Sequence, residues 1–257
     1  MELLSAGLTI VILGFLYWRM IKRETPERIG ALQALVPLGL GVVSMFIGGG
    51  GTVLLAKALG GMANMLGGIT GFGGSLLHSF LMAGGTEEAA KLLMILLALA
   101  ILKSRVKNVY EYALIGAAVG FGFAVAEEFY YGNFSAGAGA AEYITLVERT
   151  ISVPVHMTFS MVMAEFLGRA RYSRLTGKGS PALDYVLALL IPMGVHTVYD
   201  ACTVFNSRLM AGEMTGILTA LGGYAGLLVY ELVILIRFRK KTAKFCGMHF
   251  SAAEPAA

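Results

Sequence analysis

The sequence predicts an all-α protein, a polytopic transmembrane bundle of about eight helices, or seven if residues 48–85 cross differently. Three observations predict it. Of the 257 residues, 57% are apolar and only 14% charged, whereas soluble domains carry about a quarter charged residues. The apolar residues fall in runs of the length a membrane helix needs, about 20 residues. The basic residues sit in short clusters between those runs, the pattern that marks cytoplasmic loops. A mean hydropathy of +0.74 agrees, and a β-barrel would show many short alternating segments instead. The whole chain, 1–257, reads as one integral membrane domain in three parts. These are N-terminal helices with a Gly-rich segment (1–85), a four-helix core (86–205), and a last helix with a basic tail (206–257).

The formal charge of +4 and pI near 9.0 would suit a nucleic-acid binder, but basic clusters between apolar runs are topology signals, so no nucleic-acid partner is expected. Cys202 and Cys246 form neither a C-x-x-C pair nor a disulfide framework and read as spectator thiols. Short loops and the absence of eukaryotic targeting signals fit a prokaryotic plasma membrane. Oligomeric state is left open.

In chain order, the first run is Leu3 to about Trp18, followed by Arg19, Lys22, Arg23 and Arg28. Glu2 stands where a signal peptide would be basic, and no small-residue cleavage site follows, so the run reads as a permanent helix with its N-terminus outside. Ala31 to about Ile47 returns outward. From Gly48 to Gly85 the chain is apolar and studded with glycine, which lets membrane helices approach closely. Two short crossings, or one with a re-entrant piece, are compatible with it, and two are expected. His78 reads as a polar helix-contact residue. A helix is expected from Thr86, with Thr86 as N-cap after Gly84-Gly85 and with Glu87 and Glu88 in the first turn. It ends at Lys103, Arg105 and Lys107. Further spans follow at about Tyr110–Tyr131, Thr145–Leu167, Ala182–Phe205 and Met214–Ile236. Asn133 to Ala141 falls outside, and Arg169 to Lys178 and Arg237 to Lys244 fall in the cytoplasm, as does the C-terminus.

An ionisable residue inside a membrane is costly and marks a functional site by default. Glu87, Glu88 and Lys91 open one helix, Glu127 sits late in the next, His156 lies halfway along a third, and His196 and Asp200 lie in the outer half of a fourth. All map to one layer between the midplane and the outer face. Glu87/Lys91, Phe123/Glu127 and His196/Asp200 are each four apart and share a helix face. Separate structural ion pairs would have no reason to share a depth, so one convergent cluster is inferred. Glu165 and Arg169, also four apart, stand at the cytoplasmic end and read as a structural pair.

These residues carry a resemblance. Glu-Glu-x-x-Lys at Glu87–Lys91, Phe-x-x-x-Glu at Phe123–Glu127, a mid-helix His156 preceded by Arg149, and His-x-x-x-Asp at His196–Asp200 resemble, in order and spacing, the PrsW family. That family lies within the wider superfamily of CAAX prenyl proteases and bacteriocin-processing enzymes. The resemblance runs from about Thr86 to Asp200, with Gly168-Arg169-Ala170-Arg171 in keeping. Glu128 departs from it, since asparagine usually follows the motif glutamate. What it implies is intramembrane proteolysis of a membrane-anchored protein, an anti-sigma factor being the associated class.

Amide hydrolysis needs an activated water, oxyanion stabilisation and a proton for the leaving amine, and a glutamate sheltered from water can serve as the base. Glu87 is assigned that role, with Glu127 and His156 positioning the water. His196 stabilises the oxyanion or donates the proton, Asp200 orients its ring, and Lys91 and Glu88 support. No cofactor is required in this reading. The alternative is a zinc site of His156, His196 and a glutamate, although no His-Glu-x-x-His is present. A proton-coupled transporter using the same cluster is a third reading, set against the lack of an internal repeat. A non-catalytic scaffold would leave the carboxylates unexplained.

Overall fold

The computed structural model describes residues 2–23, 29–58, 71–132, 140–203 and 214–251. Within them the chain is helical: α1 (Glu2–Ile21), α2 (Ala31–Ala58), α3 (Gly71–Ser79), α4 (Gly85–Ile101), α5 (Val109–Gly132), α6 (Ala140–Thr176), α7 (Pro181–Cys202) and α8 (Met214–Gly247). Among the described residues the one β-type contact is an isolated bridge between Asn108 and His249. Among the described residues four stretches, Ala31–Leu55, Val109–Tyr130, Pro181–Cys202 and Met214–Gly247, are long and apolar enough to cross a bilayer. The protein is therefore a helical membrane protein.

The bundle is built around α5. A helix apolar on every side belongs in an interior, and α5 is buried continuously from Val109 to Ala124. Its small residues let neighbours close in. A Cβ added at Gly120 would lie 2.1 Å from the His156 carbonyl oxygen of α6, so only glycine allows this approach. α6, α2 and α1 pack directly on α5.

The segment 48–85 differs from expectation. α2 does not end near Ile47 but continues through Gly48–Gly51 to Ala58. At the other end, α3 runs without a break through a π-helical turn, Phe80–Gly84, into α4. The described parts of the segment thus belong to the two neighbouring helices rather than to crossings of their own; residues 59–70 lie outside the described residues. Thr86 is accordingly not an N-cap. Gly84 is helical at φ −53°, ψ −36°, with no side-chain cap, and the Thr86 hydroxyl donates back to the Met82 carbonyl at 3.2 Å. The Gly-Gly pair serves contact instead: a Cβ on Gly84 would stand 2.3 Å from Thr197 Oγ1 of α7. In a bilayer the close packing outweighs the weak helix propensity of glycine.

α6 and α8 overrun their expected ends at Leu167 and Ile236, continuing as helix through their basic clusters. The basic ends meet at one end of the bundle. There Gln33 Nε2 donates to the Arg105 carbonyl (2.7 Å), Tyr110 donates to the Met20 carbonyl (2.7 Å), the Phe250 amide donates to the Lys107 carbonyl (2.8 Å), and Arg171 lies over the Phe250 ring. Glu165, expected to pair with Arg169, is held chiefly by Arg237 of α8 in a bidentate contact at 2.5 and 2.6 Å. Arg169 stands 3.8 Å away and turns to Asp184 of α7 at 3.0 Å.

Candidate functional site

Four helices carry the site. α4 follows the π-helical turn, a feature that recurs at functional sites, and contributes Glu87, Glu88 and Lys91. α5 contributes Phe123 and Glu127, α6 His156 and Phe159, and α7 His196 and Asp200. Pro154 and Pro192 precede the two histidines within their helices.

Lys91 is fully buried. Its ammonium donates to Glu88 Oε1 at 2.7 Å and contacts His156 Nδ1 at 2.8 Å, and it sits 4.0 Å over the Phe123 ring. Lysine is a donor only, so this contact leaves the His156 ring proton on Nε2, which faces Glu127 Oε2 at 2.9 Å. Glu88 Oε1 also takes His196 Nδ1 at 2.8 Å. The His196 ring is thus held by Glu88, not by Asp200 as expected; Asp200 Oδ2 lies 3.6 Å from Nε2, beyond hydrogen-bonding reach. Phe159 stacks on His196, with ring centroids 5.3 Å apart.

Glu87 is set differently. Its Oε2 is buried without a hydrogen bond, 3.8 Å from Lys91 Nζ and 3.9 Å from His196 Nε2. Polar atoms that face each other across such a gap are the usual setting for a bridging water.

All seven expected residues therefore come together: Glu87, Glu88, Lys91, Glu127, His156, His196 and Asp200. Phe159 was missed, although its position three after His156 puts it on the same helix face. Glu128, the next residue of α5, is buried as well. The Arg149 side chain lies outside what is described.

A metal would find three ligand atoms, one each from Glu87, His156 and His196, within 4.8 Å of one another. The fit is uneven. Glu88 on Nδ1 of His196 is the carboxylate–imidazole support that metal-binding histidines have. His156, however, has both nitrogens committed, to Lys91 and to Glu127. To bind metal through Nε2 it would have to carry its proton on Nδ1, facing a lysine that can only donate. A tetrahedral zinc also wants its ligand atoms about 3.4 Å apart. The donor set as arranged does not fit a two-histidine zinc site.

A helical membrane protein whose helices meet at a buried carboxylate, lysine and imidazole cluster is the class that fold and site define. The family described as PrsW family intramembrane metalloprotease matches residues 36–236, and the chain belongs to it. The match begins in α2, well before the motifs that carried the resemblance in the sequence. The chain is similar, at 26% identity over 139 residues, to Protease PrsW of Clostridioides difficile (strain 630). That overlap covers 54% of this chain and 56% of the relative, so the chain spans about half the length of the curated protein it matches. No solved structure matches.

Proposed function

We propose that this protein is an intramembrane endopeptidase that cuts a membrane-anchored protein with a water activated by Glu87. The observation that carries the reading is the unbonded Glu87 Oε2, facing His196 Nε2 across 3.9 Å. A water in that gap gives its proton to Glu87 as its oxygen attacks the scissile carbonyl carbon. His196, held by Glu88, presents Nε2 to the same point as oxyanion donor when doubly protonated. As the C–N bond breaks, the proton on Glu87 passes to the leaving amine. Glu127 and His156, bonded to each other, position the water from the opposite side. Lys91 and Glu88 keep the two rings in place, and Asp200 adds its carboxylate near Nε2.

The topology proposed with it has seven crossings: α1, α2, α4 with α3 at its head, α5, α6, α7 and α8. The N-terminus lies outside, the basic end of the bundle lies in the cytoplasm, and the site lies in the outer half of a prokaryotic plasma membrane. The division into residues 1–85, 86–205 and 206–257 is retained within a single membrane domain. Single-span proteins cut near the outer surface, anti-sigma factors among them, are the substrate class.

Cells making wild type or Glu87→Ala, each with a panel of tagged single-span proteins, test the reading. Cleavage by wild type alone is expected. Equal cutting by both, or ion flux that depends on Glu87 with no cleavage, defeats it and returns the transporter reading.

A zinc mechanism has one observation in its favour, the three ligand atoms around a common point with Glu88 behind His196. When bound, zinc would polarise water or carbonyl; His156 would first have to leave Lys91. Metal analysis of the purified protein, with turnover measured after chelation and re-addition, separates the two. Turnover unchanged by chelation is expected, and a stoichiometric zinc requirement would overturn the metal-free mechanism.

A further inference from the structure

At the basic end of the bundle, on the opposite side of the chain's polarity from the site, a groove of about 490 Å³ opens between α1 and α8. Its walls are Phe15, Leu16, Leu235, Ile236 and Phe238, and Arg19, Arg23 and Arg239 line it as well. α1 rests chiefly on α5, and α8 chiefly on α6 and α7, with α5 reaching both. Tyr110 of α5, fully buried, holds both walls: its hydroxyl donates to the Met20 carbonyl at 2.7 Å and its ring stacks on Phe238 at 5.1 Å. The spacing of the groove is therefore built in.

We propose that this groove binds one anionic phospholipid, its phosphate on Arg19, Arg23 and Arg239 and an acyl chain along the apolar walls. The sequence sets this order of chemistry in depth. Phe15 precedes Arg19 by four residues and Leu235 precedes Arg239 by four, so on each helix an apolar side chain lies one turn beneath a guanidinium, on the same face. Both helices run into the basic end, so the two ladders are parallel and lead from headgroup level into hydrocarbon. Trp18, half exposed beside Arg19, marks the level, since indoles settle among lipid headgroups.

Charge decides the occupant. Arg169 and Arg237 are committed to Asp184 and Glu165, but among the described residues no carboxylate pairs with Arg19, Arg23 or Arg239. Guanidinium forks bind phosphate bidentately, and basic pockets between membrane helices recruit anionic headgroups. A zwitterionic lipid would bring a cation into the same cluster, and a free phosphate would leave the apolar walls uncovered.

The test uses the full-length protein in detergent, titrated separately with dioleoyl phosphatidylglycerol, dioleoyl phosphatidylcholine and inorganic phosphate, with retained ligand counted by native mass spectrometry. Phosphatidylglycerol is expected to be retained roughly tenfold better than phosphatidylcholine, and phosphate not at all. Arg19→Gln/Arg23→Gln/Arg239→Gln should lose the preference, Leu235→Trp should lose the lipid by filling the groove, and Arg174→Gln/Lys178→Gln/Lys244→Gln should bind like wild type. Should the first triple variant not fold, its three single variants are read instead, each with reduced retention. Equal retention of both lipids, retention of phosphate alone, undiminished binding by the groove variants, or loss in the control triple would overturn the proposal.

Discussion

One oxygen of Glu88 holds both the Lys91 ammonium and the His196 ring, while Glu87 Oε2 has Lys91 and His196 only at 3.8 and 3.9 Å. The two adjacent carboxylates should therefore separate by readout. Glu88→Ala strands a fully buried lysine, and losing one partner of a buried pair costs about 3–5 kcal/mol; a matching loss of stability is expected in thermal unfolding of the purified protein. Glu87→Gln removes the base and keeps the volume. It should unfold close to wild type while cleavage of a single-span reporter falls about 10²–10⁴-fold. The seven residues were legible because ions in hydrocarbon are expensive enough to stand out against an apolar background. The partner choices were not legible. Helical spacing offered Glu87 to Lys91 and Asp200 to His196, but the short contacts went to Glu88, which stands three before Lys91 on the same helix, a spacing that serves as well as four, and meets His196 across an interhelical gap that spacing does not encode.

At the scale of the element, α4, α5, α6 and α7 hold the side chains in register through contacts that tolerate almost no extra atoms. Gly120→Ala would drive a methyl into the His156 carbonyl at 2.1 Å, displacing the helix that carries the imidazole. Overpacking of this kind costs about 1–3 kcal/mol, and a loss of cleavage larger than the loss of thermal stability is expected. Gly84→Ala should behave likewise, through Thr197 of α7. Gly50→Ala is the contrast: nothing lies within 4 Å of the added carbon, and alanine is the better helix former, so both readouts should match wild type or exceed it. Glycine-rich sequence reads ambiguously for this reason. The same residue breaks a helix in water and brings two helices together in a bilayer, which is why residues 48–85 read as separate crossings, whereas the described parts, 48–58 and 71–85, extend α2 and α4.

Across the whole molecule, the basic ends gather at one end of the bundle, and Glu165 joins α6 to α8 there through Arg237. Glu165→Gln should destabilise the protein by about 1–3 kcal/mol, since the Arg237 left behind is a quarter exposed, measured by thermal unfolding, with residual cleavage by the folded fraction unchanged because the site lies elsewhere. Topology has its own check. With Cys202 and Cys246 replaced, Ser104→Cys and Lys178→Cys should react with an impermeant thiol reagent only after permeabilisation, and Ser135→Cys should react in intact cells; the reverse pattern would invert the proposed orientation.

By itself the sequence determined that this is a helical membrane protein and pointed to seven polar side chains as one cluster, because hydropathy and the cost of buried ions are local properties of the chain. Tertiary structure alone decided that Glu88 rather than Asp200 holds His196, that Lys91 occupies Nδ1 of His156 and leaves its proton on Nε2 toward Glu127, and that Glu165 answers to a residue 72 positions away. Those outcomes depend on how closely helices approach and which rotamers meet in the gap between them, and that is set by packing around α5 rather than by spacing along any one helix.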